Sequence, residues 1–321
     1  MKNFHNETCL KVFSLSEIIN LKFPPKDYIL EPLLPEQGTV MVYSPTGVGK
    51  TWFSIGVANA VATGTEFLKW KAPKPRGVLF VDGEMQAYNL IERLKLYRNS
   101  TDDLNSNIPL YFLANDLQDG PLPDLASCEG QDAIDQKIRV LEEENGVKIE
   151  LIIFDNLSSL LRSGVENEGE SWLPFQNWLL DLRRRKVSVL YIHHANKSGD
   201  QRGTSRRMDI LDTVVCLKNS SKGNCEIDDL SFEVHFEKTR GVREERNRPF
   251  IAKMTTYLNQ NGKEALKWEC CPLQSSNYEK IIHLTKQGKA LKEIASEVGI
   301  DKSNVSRAQK RAREEGRLDL V

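Results

Sequence analysis

Residues 44 to 51 read Ser44-Pro45-Thr46-Gly47-Val48-Gly49-Lys50-Thr51, a set suited to holding a string of phosphates. Glycines let successive backbone N–H groups close around phosphate oxygens, and a helix that starts there adds its positive dipole end. Lys50 has the reach to neutralise terminal phosphates, and the Thr51 hydroxyl suits a Mg²⁺ position. The run satisfies G-x-x-x-x-G-K-[ST] at every place but the first, where Ser44 replaces glycine. The plain alternative is a glycine-bearing turn that precedes Lys-Thr by chance. A β-like run before the loop and a helix-like run after it argue against chance. The phosphate-binding set is therefore Ser44 to Thr51, with Trp52 next in line.

Hydrolysing phosphate takes more: a carboxylate for the metal and a group that positions water. Leu151-Ile152-Ile153-Phe154-Asp155 is an apolar strand ending in an acid. At the C-terminal end of a parallel strand, Asp155 is placed to hold Mg²⁺, with Asn156 beside it. A strand-ending Asp that merely caps the next segment is the alternative. Val78-Leu79-Phe80-Val81-Asp82-Gly83-Glu84 ends another such run, and Glu84 is placed to polarise water, with Asp82 as competitor. His193-His194 closes a further strand, where one imidazole could sense the γ-phosphate or simply form a polar terminus. No third ligand accompanies the pair to make a zinc site. The segment from Lys197 to Arg207 carries Lys197, Arg202, Arg206 and Arg207 against one acid, Asp200. It is either a solvated face or a loop that tracks a nucleic-acid backbone. Lys238 and Arg240, two apart at a strand end, fit either an arginine finger entering a neighbour's site or a charged strand end.

These residues need a scaffold that brings strand ends together. From Gly38 to about Thr256, strand-like runs (39–43, 77–81, 109–113, 150–154, 188–193) alternate with helix-like stretches (50–63, 87–98, 131–144, 169–185). Unbroken apolar strands separated by helices indicate a mostly parallel sheet covered on both faces. Later runs at 212–217, 230–236 and 250–256 read as antiparallel strands added to one edge. Residues 1–36 form an N-terminal arm with a short helical stretch near Ser16 to Leu21. The ATPase-type body spans 37–270, a linker spans 271–277, and a three-helix unit spans 278–321.

The chain has 321 residues, 40% hydrophobic and 28% charged, which suits about two globular domains. No apolar run is long enough to span a membrane, and the start lacks an apolar signal region, so the expected location is cytoplasmic. Six cysteines, none in a CxxC pair, read as reduced thiols. Net charge is −1, yet residues 276–321 hold 10 Lys/Arg against 7 Asp/Glu, so the basic excess lies at the C-terminal end.

In that unit, Ile294, Ala295, Val298, Gly299, Ile300 and Val305 occupy the buried and turn places of a helix-turn-helix. Asp301 suits the N-cap of the second helix. That helix would display Lys302, Ser303, Asn304, Ser306, Arg307, Lys310 and Arg311 to base edges and phosphates of DNA. A three-helix unit used for protein contact is the alternative.

Taken together, the loop at 44–51, Val81-Asp82-Gly83-Glu84, Ile153-Phe154-Asp155, His193-His194 with Lys197-Ser198, and Arg202-Gly203-Thr204-Ser205 before Asp209-Ile210-Leu211-Asp212 resemble the RecA-type hexameric ATPases. The closest look is to the RepA-like ATPases and helicases of plasmids, phages and other mobile elements, over about residues 25–256. The resemblance implies an α/β fold: a RecA-like P-loop core plus a small all-α helix-turn-helix domain. It implies ATP and Mg²⁺ as cofactors, Lys50 and Thr51 on the nucleotide and metal, Asp155 at the metal, Glu84 as base and His193 or His194 as sensor. Arg202 is the finger by RepA-like pattern; Lys238 and Arg240 are the finger by the Lys-x-Arg pattern of DnaB-like relatives. Partners would be DNA, further copies of the chain in a hexamer-type ring and other replication proteins, with no membrane. Ser44 departs from the pattern, and no primase or DnaB-type N-terminal domain is present. The leading expectation is a DNA-binding ATPase or helicase in replication of a mobile element. The alternative is an ATP-switched DNA-binding regulator without unwinding activity. A small-molecule kinase shares the loop but needs an acceptor lid that the sequence does not show.

Overall fold

Strands buried on both faces have no polar side to show solvent, so they assemble only where helices cover them. The computed structural model describes residues 10–23, 25, 27–100, 108–162, 169–195, 209–220, 230–240, 247–273, 277–314 and 318. The strands are β1 (Tyr28–Leu30), β2 (Leu34–Pro35), β3 (Thr39–Ser44), β4 (Glu66–Phe67), β5 (Trp70–Lys71), β6 (Gly77–Asp82) and β7 (Leu110–Ala114). They continue with β8 (Ile149–Asp155), β9 (Ser188–His194), β10 (Thr213–Asn219), β11 (Leu230–Thr239), β12 (Phe250–Leu258) and β13 (Glu264–Pro272). The helices are α1 (Leu15–Ile19), α2 (Lys50–Thr63), α3 (Ala87–Asn99), α4 (Cys128–Asn145), α5 (Leu157–Leu160) and α6 (Gly169–Arg184). Near the C-terminus come α7 (Asn277–Lys286), α8 (Leu291–Val298) and α9 (Lys302–Glu314).

The main sheet runs β13-β12-β11-β10-β3-β9-β8-β6-β7. From β10 to β7 all neighbours are parallel. β11, β12 and β13 pair antiparallel at the other edge. This is the mixed α/β architecture of a RecA-like P-loop core, with two corrections to the sequence reading. β10 is parallel to β3, with Thr213 opposite Val40, rather than the first antiparallel strand. An apolar run carries no mark of strand direction, so the sequence left this open. β13 escaped notice because Lys267 and Glu269 break its apolar character; the preceding Asn261-Gly262 is a hairpin signal. β13 reaches Pro272 and α7 starts at Asn277, so three residues of the expected linker 271–277 belong to these elements.

Alternate strand residues feed two cores. Val40, Val42, Val78 and Phe80 face α2 and α3, packing with Phe53, Ile55, Leu90 and Tyr97. Met41, Tyr43, Leu79 and Val81 face α4 and α6, packing with Ile134, Ile138, Phe175 and Trp178. Helix α2 is buried nearly all round, so it holds the loop before it rigidly. At the opposite end of the sheet, the buried Arg76 guanidinium binds Asp27 (3.0 Å), Glu36 (2.7 Å) and Glu150 (2.9 Å). Asp27 and Glu36 flank the β1–β2 hairpin, and Glu150 is the second residue of β8.

The C-terminal helices have their own small core of Ile281, Leu284, Ile294, Ala295 and Val305. Gly299 takes φ 73°, which only glycine adopts without strain, and its N–H donates to Ala295 O at 3.0 Å, ending α8. Asp301 stands just before α9, and its carbonyl accepts from Asn304 and Val305. Among the described residues no helix is long and apolar enough to cross a membrane.

Candidate active site

Four neighbouring strands end on one line. Ser44 ends β3, His194 ends β9, Asp155 ends β8 and Asp82 ends β6, with Ser44 in register with His194 and Asp82 with Asp155. Parallel strands all deliver their C-terminal ends to the same side, where ligands of open α/β sheets bind. The cleft there, about 430 Å³, is lined by Thr46, Gly47, Gly49, Lys50, Thr51 and Trp52 on one flank. Asp82, Glu84, Asp155, Asn156 and His194 line the other.

The loop at 44–51 turns on Gly47 (φ 83°) and Gly49 (φ 115°), both in the left-handed region. A Cβ at Gly49 would also press on Leu230 and Phe232 of β11. Lys50 is buried, and its Nζ donates to Ser44 O (3.2 Å) and Pro45 O (3.0 Å), near Ser44 Oγ (3.4 Å). Ser44 in the first glycine place thus sits at a strand end, where any residue fits, and its polar atoms help seat Lys50. The Val48 side chain is 1% exposed and packs into the core, which leaves its backbone as the part of the residue suited to phosphate.

Opposite the loop, three carboxylates converge. Asp155 is buried, accepts from Ser54 Oγ at 2.8 Å and is also close to the Thr51 hydroxyl. Burial pushes its pKa up to about 6, opposed by the Ser54 hydroxyl and reinforced by Asp82. Asp82 is likewise held above the usual carboxylate range by burial. Its Oδ1 accepts from the backbone N–H of Glu84 and Met85, each at 2.8 Å, while its buried Oδ2 has no hydrogen-bond partner among the described residues. Burial also lowers the Lys50 pKa, with Asp155 and Glu84 pulling it back. Buried acids short of positive charge, beside a hydroxyl, form a hard oxygen set that fits Mg²⁺. Among the described residues no three His, Cys, Asp or Glu side chains form a complete metal cage. Mg²⁺ does not need one, because it keeps waters and phosphate oxygens.

Glu84 has a dedicated partner. Asn156 Oδ1 accepts from Ser159 N at 3.1 Å, capping α5, which fixes the amide's orientation. Its Nδ2 then donates to Glu84 Oε2 and lies 3.1 Å from His194 Nε2. His194 Nε2 is 3.8 Å from Glu84 Oε2. His193 instead is 2% exposed and accepts from the His194 N–H through Nδ1. Of the two histidines, only His194 reaches the cleft. Asp82 is bound to its own turn, which leaves Glu84 as the carboxylate open to solvent.

Lys238 and Arg240 lie at the other end of the sheet. Thr239 is in register with Thr213, which is in register with Val40, so these cations stand at the foot of β3 while the loop crowns its head. There the Arg240 guanidinium donates to Asp209 O. The structure does not bring them to their own chain's cleft. Lys197, Arg202, Arg206 and Arg207 lie outside the described residues. On α9, Lys302, Ser303, Asn304, Ser306, Arg307, Lys310 and Arg311 are all exposed, with Arg307 donating to Asn304 Oδ1 at 2.7 Å.

Sequence reasoning missed Ser54, Gln86, Asn89 and Arg93. Ser54 lies three residues beyond Thr51, one helical turn into α2. Gln86, the N-cap of α3, and Asn89 and Arg93 within it fall at i, i+3 and i+7, a one-face spacing that was legible in the sequence.

The AAA_25 model, described as an AAA domain, matches residues 6–200, more than half of the chain. No curated protein matches the sequence. Among solved structures, a KaiC-like protein from the hyperthermophilic archaeon Pyrococcus horikoshii OT3 is similar over 74% of this chain and 93% of its own, at 17% identity and a TM-score of 0.44. With a phosphate loop and acidic strand ends on a RecA-like sheet, the chain belongs to the AAA_25 family of AAA domains and is a nucleotide-binding ATPase.

Proposed function

We propose that this ATPase is Mg²⁺-dependent, binds DNA and works as a ring of copies in the replication of a mobile element, in the manner of RepA-like proteins. The observation that carries the hydrolytic part is the Glu84–Asn156–His194 cluster in the same cleft as Lys50. Lys50 leaves its loop carbonyls to bind the terminal phosphates of ATP. Thr51 and Asp155 hold Mg²⁺, whose chemistry is to neutralise phosphate charge and orient the γ-phosphoryl group. Glu84 takes the proton of the attacking water, and Asn156 holds Glu84 in place. Through the shared amide of Asn156, His194 ties that acid to the strand from which the basic segment 197–207 departs. Lys238 and Arg240, remote from their own cleft, serve a neighbouring copy, as Arg202 does in the rival assignment. The exposed cations of α9, with those of segment 197–207, contact DNA, and the ring acts alongside other replication proteins.

The test is hydrolysis of ATP by the purified chain with Mg²⁺, with and without forked DNA, alongside mass measurement with an ATP analogue. The expected result is DNA-stimulated turnover by a multi-copy assembly, abolished by Lys50→Ala. Absence of turnover under all these conditions overturns the reading. The exposed face of α9 favours a second reading, an ATP-switched regulator. It predicts site-specific duplex binding that is lost on deletion of residues 278–321, and no unwinding of a fork.

A further inference from the structure

One hydrogen bond ties the strand that leads into the phosphate loop to the strand that carries Lys238 and Arg240. Tyr43 OH donates to Glu237 Oε1 at 2.5 Å. Tyr43 directly precedes Ser44, whose carbonyl and hydroxyl seat Lys50. Glu237 directly precedes Lys238 on β11. A chain of neighbours therefore runs Lys50, Ser44, Tyr43, Glu237, Lys238, from the cleft to the cations at the foot of the sheet.

Two features set this bond apart from an ordinary satisfied hydroxyl. Strand β10 lies between β3 and β11, so the bond bridges two strand spacings, roughly 10 Å between backbones. Two long side chains extended toward each other close that gap, with the small Cys216 of β10 between them. Glu237 is also the extra residue of a β-bulge. Val215 pairs with Phe236 and Val214 with Lys238, which leaves Glu237 outside the register. A bulge gives up ladder pairing and re-aims a side chain. Tyr43 is 3% exposed, and burial, followed by the Glu237 carboxylate, raises its pKa, so the hydroxyl stays protonated and donates. A hydroxyl-to-carboxylate bond of this length belongs to the strong class. Beyond the bulge, Thr239 Oγ1 accepts from Asn247 Nδ2 at 3.0 Å, and the Arg240 N–H donates to Asp212 O at 2.9 Å. The stretch 238–240 is thus held at both ends.

We infer that Tyr43 and Glu237 are positioning residues for a neighbour's cleft: their bond fixes the bulge and so aims Lys238 and Arg240 at the nucleotide of an adjacent copy. This role rests on the ring reading above, in which those two cations serve the neighbour. The pair touches no nucleotide of its own chain and governs turnover in trans.

The test mixes two kinds of full-length copy and reads ATP turnover. Glu84→Gln copies have a cleft that cannot activate water and an intact 238–240 stretch. Tyr43→Phe copies keep the aromatic packing and the cleft but lose the bond. Alone, Tyr43→Phe should turn ATP over about ten- to hundredfold more slowly than wild type, with KM within about twofold. Glu237→Ala should match it, and Glu237→Gln, which keeps an acceptor oxygen, should recover most of the rate. Mixing Tyr43→Phe with Glu84→Gln copies should raise turnover well above the sum of the two alone, because a sound cleft then meets a sound finger strand across the interface. Arg240→Ala mixed with Glu84→Gln tests the finger itself. If that mixture gains turnover and the Tyr43→Phe mixture does not, Tyr43 acts only within its own chain, and the positioning role alone falls. If the Arg240→Ala mixture shows no gain, the finger is not on this strand, and both assignments fall. Wild-type turnover in Tyr43→Phe and Glu237→Ala also overturns the positioning role.

Discussion

The cleft and helix α9 handle charge in opposite ways. In the cleft, Lys50, Asp82 and Asp155 are buried and made to converge, and all three are held from their ordinary titration range mainly by loss of water. On α9, Lys302, Arg307, Lys310 and Arg311 stand exposed on one helix, where solvent and salt screen them. A converging site is prepared before its ligand arrives, at a cost in stability. A displayed set costs the fold almost nothing and works only when a partner supplies the opposite charge. Substitution should therefore move folding and chemistry together in the cleft, and binding alone on α9.

The largest effect should come from Asp155→Asn. Hydrolysis is expected to fall on the order of a thousandfold through loss of the metal carboxylate. Without nucleotide, however, the same variant should be more stable. The folded chain holds the Asp155 proton up to about pH 6, above its ordinary value, so stability falls as pH rises through the window from about 4 to 6. Above it the whole penalty applies, and Asn removes it. Urea unfolding at pH 7.5 should show a gain on the order of 2 kcal/mol, with a flatter pH dependence below pH 6. A less stable Asp155→Asn chain would mean that the cleft is not strained by its own charge.

Asn156→Ala comes next. It frees Glu84 and removes the cap of α5, so hydrolysis should fall about a hundredfold while ATP affinity changes less than about threefold. Loss of the cap should lower stability by about 1 kcal/mol. Steady-state kinetics beside nucleotide titration separates the two. Equal losses in affinity and rate would show that Asn156 shapes the binding site rather than the acid.

The smallest effect on the fold should follow Arg307→Ala combined with Lys310→Ala. Stability and DNA-free hydrolysis should stay within about 0.5 kcal/mol and twofold of wild type. Duplex affinity should drop, and the slope of log affinity against log salt should shrink by about 1 to 2. A change in DNA-free hydrolysis would erase the contrast by coupling α9 to the cleft.

Much of the cleft was legible before folding. Strands buried on both faces leave long apolar runs, and the polar residue that ends each run marks a strand head, hence Asp82, Asp155 and His194. Which histidine turns inward depends on strand register, and the sequence left both open. The direction of β10 was hidden because a run of Thr-Val-Val-Cys-Leu reads alike both ways. Ser54 meets Asp155 across 101 residues of chain, and no local spacing announces such a contact. Val48 sits in the loop but belongs to the core, which only the glycines' backbone turns decide.

Arg76 has a mechanical meaning. It stands at the foot of β6, and its partner Glu150 stands at the foot of β8; Asp82 and Asp155 are the heads of those same two strands. A strand of six or seven residues is a stiff rod of about 20 Å. Asp27 and Glu36 lash the β1–β2 hairpin, and through it the N-terminal arm, to the lower ends of both rods. A load on the β1–β2 hairpin is therefore borne at the base of the two rods whose tips are acidic, with Arg76 as the pin.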